Sequence, residues 1–358
     1  MAVASVVGRV VVATGWLALV GCPASDDSGE PISMTSSPAA GSDDDGDSDG
    51  GGNDTAADGD GGSSSGASTT GPGDDGPATG DDGPAPITCD GASLFSPGVH
   101  TGITIDVDGV SRTYDLFVPT SYDAGSLNPL VVNFHGLLGS PSGQATFSQF
   151  NASAEAHGML VAYPAGIGAS FNAGVCCGEA SSSNVDDVGF ARALVADVST
   201  KMCVDPERVH ATGMSNGGHM AHRLACEAAD VFASAASVTG VLSLVAPCLP
   251  TRPVSMIQFH GTSDGIVAYD GIPQVPAMMQ AWAARNGCSA VSETTFDAGD
   301  MHCETWPGCD AGVEVSLCTI DGGGHCWPGN AACPFGHSST QLHASDEIAD
   351  MFDEQPMP

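Results

Sequence analysis

The chain has 358 residues, with 8 basic and 43 acidic side chains and a formal charge of −35. A body this acidic repels phosphate backbones and anionic membrane surfaces, which removes nucleic acid from the candidate partners. Thirteen cysteines set a second bound: with Cys22 set aside, twelve thiols remain, an even number that permits up to six disulfides in an exported protein.

Residues 1–21 carry one charge, Arg9, ahead of an uncharged apolar run from Val10 to Val20. A bilayer span needs about twenty apolar residues, so this shorter run reads as a signal peptide. Its end, Leu19-Val20-Gly21-Cys22, resembles the lipobox of bacterial lipoproteins. That resemblance implies a lipidated Cys22 and contact with membrane through the lipid anchor alone. Ordinary secretion with cleavage nearby is the plainer alternative. Residues 23–86 hold fifteen acidic side chains and no basic one, with almost no large apolar residue. Such a segment cannot bury enough surface to offset its ordering entropy, so residues 22–87 are expected to be a disordered acidic Gly/Ser/Asp-rich tether. Asp45-Gly46-Asp47-Ser48-Asp49-Gly50 begins like a calcium loop, but the twelfth position is Ala56 rather than Glu, and no calcium is expected. The tether accounts for −15 of the charge and the leader for +1, which leaves −21 on residues 88–358. That last stretch is long enough for one large α/β domain.

Within it, alternation over residues 103–108 and 112–118 predicts two antiparallel strands joined at Asp108-Gly109. Residues 129–136 are apolar almost throughout, as in a buried central strand. The pattern then predicts a helix over 147–157, a strand over 159–163, a helix over 188–201, a strand over 209–214 and a helix over 216–227. Strands follow at 233–238 and 254–259, a helix at 276–285, a strand at 313–320 and a helix at 342–352. Strands alternating with helices imply a mostly parallel sheet covered on both faces. With the leading antiparallel hairpin, the order resembles the α/β-hydrolase fold, in which chemistry gathers at the carboxyl ends of the strands.

The strand predicted over 209–214 breaks at Gly213-Met214-Ser215-Asn216-Gly217 into a helix, the context of a G-x-S-x-G nucleophile elbow. A serine hydroxyl needs a base, and the base needs an orienting acid, in the chain order Ser, Asp or Glu, His. The acid is expected at Asp264, in His260-Gly261-Thr262-Ser263-Asp264 after an apolar strand, with Asp270 in a looser turn as the weaker candidate. The base is expected at His325, which a strand and Asp321-Gly322-Gly323-Gly324 lead into, ahead of His302, His337 and His343. An oxyanion hole requires two backbone N–H donors, each worth roughly 3 kcal/mol; those of Asn216 and Leu137 fit. His135 reads as structural. His219, His222 and Cys226 share one helix face, where packing is favoured over a metal site, and no C-x-x-C pair suggests zinc. Neither metal nor organic cofactor is expected. For disulfides, Cys326 with Cys333 and Cys226 with Cys248 are expected, and Cys176-Cys177 would pair outward, one of them with Cys203.

Six stretches taken together resemble one family: Asn172-Ala173-Gly174-Val175-Cys176-Cys177-Gly178, Val185-Asp186-Asp187-Val188-Gly189-Phe190, Val204-Asp205-Pro206-Glu207-Arg208-Val209, the elbow, His260 to Asp264, and Gly323-Gly324-His325-Cys326-Trp327-Pro328-Gly329. The family is the secreted polyhydroxybutyrate depolymerase and feruloyl esterase-like branch of the α/β-hydrolases, and the similarity runs over about residues 96–352. What the resemblance implies is carboxylic-ester hydrolysis through Ser215, Asp264 and His325. Many polymer depolymerases of this group carry an added substrate-binding domain and none is visible, so soluble polyester oligomers or hydroxycinnamoyl esters of polysaccharide are the expected substrates. Among Trp282, Trp306 and Trp327, Trp327 is expected to border the acyl pocket. An acyltransferase or serine peptidase on the same fold, and a non-catalytic surface binding lipoprotein, are the alternatives.

Overall fold

The computed structural model describes residues 89–91 and 93–358; the expected signal peptide, Cys22 and the whole of the expected tether lie outside them. The chain opens on strands β1 (Gly98–Val107) and β2 (Val110–Val118), which pair antiparallel across Asp108 and Gly109. Both turn residues have positive φ, 52° and 82°, which matches the right-handed twist of a hairpin. Strand β3 (Asn128–Phe134) is buried at every position.

The single helix expected over 147–157 is two, α1 (Pro141–Ser148) and α2 (Phe150–His157). Gln149 between them is left-handed, at φ 55°. Ser148 turns its hydroxyl back to the carbonyl of Gln144 and accepts from the N–H of Phe150, closing one helix and starting the next. Then come β4 (Leu160–Pro164), the short α3 (Gly178–Ser182), α4 (Asp187–Lys201), β5 (Val204–Met214), α5 (Asn216–Glu227), β6 (Ser234–Val238), β7 (Ser255–Gly261) and α6 (Val275–Arg285). A hairpin absent from the sequence expectation, β8 (Glu293–Ala298) and β9 (Met301–Trp306), precedes β10 (Val315–Ile320) and α7 (Ala344–Glu354). Its outer strand, Glu-Thr-Thr-Phe-Asp-Ala, is mostly exposed and has no apolar alternation to read.

All ten strands form one sheet in the order β1-β2-β4-β3-β5-β6-β7-β10-β9-β8. From β4 to β10 every neighbouring pair is parallel, and antiparallel hairpins extend both edges. The pleat sorts side chains onto two faces with period two. Leu130 and Val132 join Leu194, Leu224, Met278 and Trp282 from α4, α5 and α6. Val131 and Met214 join Phe150, Ile348 and Phe352 from α2 and α7 on the opposite face.

Six disulfides use all twelve cysteines after Cys22. Cys226–Cys248 and Cys326–Cys333 form as expected. The outward pairing of Cys176 or Cys177 with Cys203 is corrected: those neighbours bond to each other, and Cys203 takes Cys89, 114 residues away. Cys288–Cys309 and Cys303–Cys318 complete the set, the latter between directly paired residues of β9 and β10.

Two glycines let β5 and α5 meet. A Cβ at Gly213 would lie 2.6 Å from the backbone of Gly217, and one at Gly217 would lie 2.1 Å from the carbonyl oxygen of Phe134. Gly217→Ala is therefore expected to abolish cooperative thermal unfolding of purified protein; a melting curve matching wild type would contradict this close approach. Burial also holds three histidines neutral, His210 and His222 at about 3 and His219 at about 4. Below the ordinary histidine value of about 6.5, the unfolded chain binds protons that these rings refuse, so stability falls with pH by about 1.4 kcal/mol per unit for each ring. Denaturant unfolding followed from pH 7 to 4.5 is expected to show that decline, and a flat profile would contradict it.

Candidate active site

Strand β5 ends at Met214, and the next residue, Ser215, sits at φ 55° and ψ −120°, a conformation an L-residue keeps only when its surroundings enforce it. The carbonyl of Val238 accepts its N–H at 2.9 Å, and its own carbonyl accepts the N–H of His219 at 2.9 Å as α5 begins. The loop after β3 runs alongside, so that a Cβ at Gly136 would lie 3.3 Å from Cβ and 3.9 Å from Oγ of Ser215. In that loop the N–H of Leu138 is committed to the carbonyl of Ala169 and that of Gly139 to the carbonyl of Gly136. Leu137 and Leu138 expose their side chains here. His135 is structural: buried, it contacts Gly136 O at 2.8 Å through Nδ1 and accepts the N–H of Gly166 at Nε2. Burial pushes its ring below the usual histidine range, against the bond to Gly136 and the charge of Asp187.

Asn216 is fully buried and does more than begin a helix. Its Oδ1 accepts the N–H of Phe171 at 2.7 Å, and its Nδ2 donates to the Phe171 carbonyl at 2.9 Å and reaches Sγ of Cys176 at 3.9 Å. The segment bearing the Cys176–Cys177 bond is thereby latched to the residue after Ser215. Asp187 holds the same segment from behind, taking the N–H of Asn172 at 2.6 Å while bonded to buried Arg112 at 2.7 Å. Composition and periodicity offered no sign of this clamp; only the sequence motifs around Asn172 and Asp187 marked it.

Asp264 and His325 come together from the carboxyl ends of adjacent strands β7 and β10. His325 Nδ1 lies 2.7 Å from Asp264 Oδ2, with the carboxylate's side chain fully buried. The other oxygen, Oδ1, accepts the N–H groups of Ile266 and Val267 at 2.8 and 2.9 Å. Burial alone would raise the Asp264 carboxyl; the bond and charge of His325 and the two backbone donors outweigh it, so the group stays below its ordinary value and ionised. With Nδ1–H given to the carboxylate, Nε2 of His325 keeps its lone pair for a proton. The two loops cross tightly: a Cβ at Gly261 would lie 2.2 Å from Gly323 O, and the N–H of Ser263 donates to that oxygen at 2.9 Å.

The competing residues are engaged elsewhere or turned away. Asp270 is exposed. His302 pairs with Asp297 and Asp321, His337 with Asp300, and His343 caps α7. Cys226 is in a disulfide, His219 bonds Ser243 and His222 bonds Gln258. Among the described residues no cluster of metal-ligating side chains could hold an ion, and no helix is long and apolar enough to cross a membrane. The expectation for Trp327 is corrected: it is fully buried in the core beside α7 and donates its indole N–H to Ser345 at 3.0 Å, leaving no surface for a ligand. Trp282 and Trp306 are also buried. The aromatic ring beside the imidazole is Phe335, edge-on at 6.3 Å and 47% exposed. The carbonyl of Phe335 takes the N–H of His325, and the Cys326–Cys333 bridge braces the loop. Nothing in the sequence spacing singled out Phe335, which stands ten residues beyond His325 and returns beside it through the fold of this loop.

The chain is similar to known esterases over most of this domain. A family model described as esterase PHB depolymerase matches residues 112–274. Feruloyl esterase B of Piromyces equi is 35% identical over 58% of this chain, which spans 41% of that relative's length. A protein named as an esterase, NocK, of Nocardia uniformis subsp. tsuyamanensis is 30% identical over 70% of this chain and 81% of its own. In three dimensions an acetyl xylan esterase from Aspergillus awamori superimposes with a TM-score of 0.52 at 17% identity, over 72% of this chain and 99% of that one, a likeness of fold. Sheet order, elbow and sequence likeness agree: the chain belongs to the polyhydroxybutyrate depolymerase and feruloyl esterase-like family of α/β-hydrolases, a family of carboxylic-ester hydrolases.

Proposed function

We propose that the protein is a serine esterase working through an acyl-enzyme on hydroxycinnamoyl or other acyl esters of polysaccharide, or on soluble polyester oligomers. The observation that carries this reading is the buried 2.7 Å bond between His325 and Asp264, two residues that, like the strained Ser215, follow the carboxyl ends of parallel strands in the sheet. His325 Nε2 takes the Ser215 proton as Oγ attacks the ester carbonyl. The oxyanion is received by the N–H groups of Asn216 and Leu137. The imidazolium then protonates the departing alcohol, and the acyl group stays on Oγ. Water, deprotonated by the same imidazole, releases the carboxylic acid and restores the hydroxyl. Leu137, Leu138 and Phe335 supply exposed apolar surface for the parts of the ester flanking that carbonyl. Ser215→Ala is expected to cost about a millionfold in turnover on methyl ferulate or on 3-hydroxybutyrate oligomers. Appreciable residual hydrolysis, with no labelling of wild-type Ser215 by a fluorophosphonate, rejects the reading.

The setting proposed is outside the reducing cytoplasm, a reading that the six disulfides support. Lipidation at Cys22, with residues 22–87 as a spacer, would anchor the enzyme to the cell envelope. Cys22→Ala is expected to move the protein from the membrane to the soluble fraction; unchanged membrane recovery argues against a lipid anchor.

A further inference from the structure

Behind Asp264 lies a hydrogen-bonded chain that the hydrolytic cycle does not itself use. It starts at Trp282 in α6, whose indole N–H donates to His222 Nδ1 at 3.1 Å. His222 Nε2 meets Gln258 Oε1 at 3.0 Å. Gln258 Nε2 meets His260 Nδ1 at 3.0 Å and Gly240 O at 3.1 Å, and His260 Nε2 meets Val267 O at 2.8 Å. His260 Nε2 is also 3.5 Å from Asp264 Oδ2. Trp282, His222, Gln258 and His260 are each fully buried.

The direction of every link follows from the first. Indole nitrogen can only donate, so His222 accepts at Nδ1, and being neutral it carries its proton on Nε2. That proton requires the amide oxygen of Gln258, which turns the amide nitrogen toward His260. His260 therefore accepts at Nδ1 and holds its own proton on Nε2, pointed at Val267 O and Asp264. Burial, which favours the neutral forms of His222 and His260, agrees with this assignment. Val267 is the residue whose N–H already bonds Asp264 Oδ1. The last donor of the chain thus grips the far end of the turn that fixes the carboxylate.

We propose that His260 is a positioning residue for ester hydrolysis, holding the 264–267 turn through Val267 so that Asp264 meets His325 in one orientation. The inference rests on the triad reading above. Without the Nε2–H of His260, Val267 O loses a buried donor and the turn can rotate the carboxylate away from the imidazole. A structural residue elsewhere in the core would change stability without changing turnover.

The test compares His260→Asn with His260→Gln. The Asn amide ends where Nδ1 sits and cannot reach Val267, whereas the longer Gln places an N–H close to the Nε2 position. Expected for His260→Asn is a fall in kcat of about 100-fold, the cost of a displacement near 1 Å in a catalytic group, with KM unchanged. His260→Gln is expected to recover most of that loss. A folded His260→Asn with wild-type kcat overturns the proposal, as does equal loss in both variants. Nitrogen NMR of the wild-type imidazoles gives a check that needs no variant: His260 protonated on Nδ1, or charged at pH 7, overturns it too. Ser215→Ala is run alongside, since an active Ser215→Ala would defeat the triad reading itself, whereas an inactive one with normal His260→Asn defeats only the role of His260.

Discussion

The molecule is organised around a backbone approach that side chains would forbid. Strand β5 and helix α5 meet at Gly213 and Gly217, and the second of these presses on the carbonyl of Phe134 from the neighbouring strand. Ser215 between them takes a strained positive-φ conformation, which costs of order 1–3 kcal/mol. That strain is sustained because the sheet holds Ser215 through Val238, and α5 holds it through His219. The hydroxyl is therefore placed by the sheet itself rather than by a mobile loop. Gly261 and Gly323 repeat the device where the two other loops of the site cross.

The other half of the site depends on hydrogen bonds more than on sterics. Asp264 is a buried carboxylate whose charge is met by His325 and two backbone donors, while the surrounding histidines stay neutral through burial. Among the described residues nearly all the acidic side chains stay outside the core. The buried charges there are confined to a few partnered groups, among them Asp264 and the Arg112–Asp187 pair that clamps the segment carrying Cys176 and Cys177. Since a buried charge without a partner costs several kcal/mol, each of these groups ties distant segments together.

Much of this is legible in the sequence alone, and the reasons are local. The strands from β3 to β10 that bury both faces announce themselves as apolar runs, and a glycine-serine-glycine break after one of them carries its conformational requirement in its own composition. The meeting of Asp264 with His325 was foreshadowed by chain order and by the strands that precede them. Legibility failed where local pattern is weak. The helix break at Gln149 depends on a serine side chain turning back on its own helix, and β8 has a polar, mostly exposed face. Trp327 stands two residues from His325 in sequence, yet its side chain points into the core while Phe335 comes back beside the imidazole.

The sequence by itself determined the alternation of strands and helices, the strained serine turn and the residue types available for acid–base work, because each depends on neighbours within a few positions. Tertiary structure alone decided which cysteines pair, which aromatic ring stands beside His325, and that a one-way chain from Trp282 ends at the turn holding Asp264. Those features join residues tens of positions apart, and contact at that range is set by how the sheet and its helices pack.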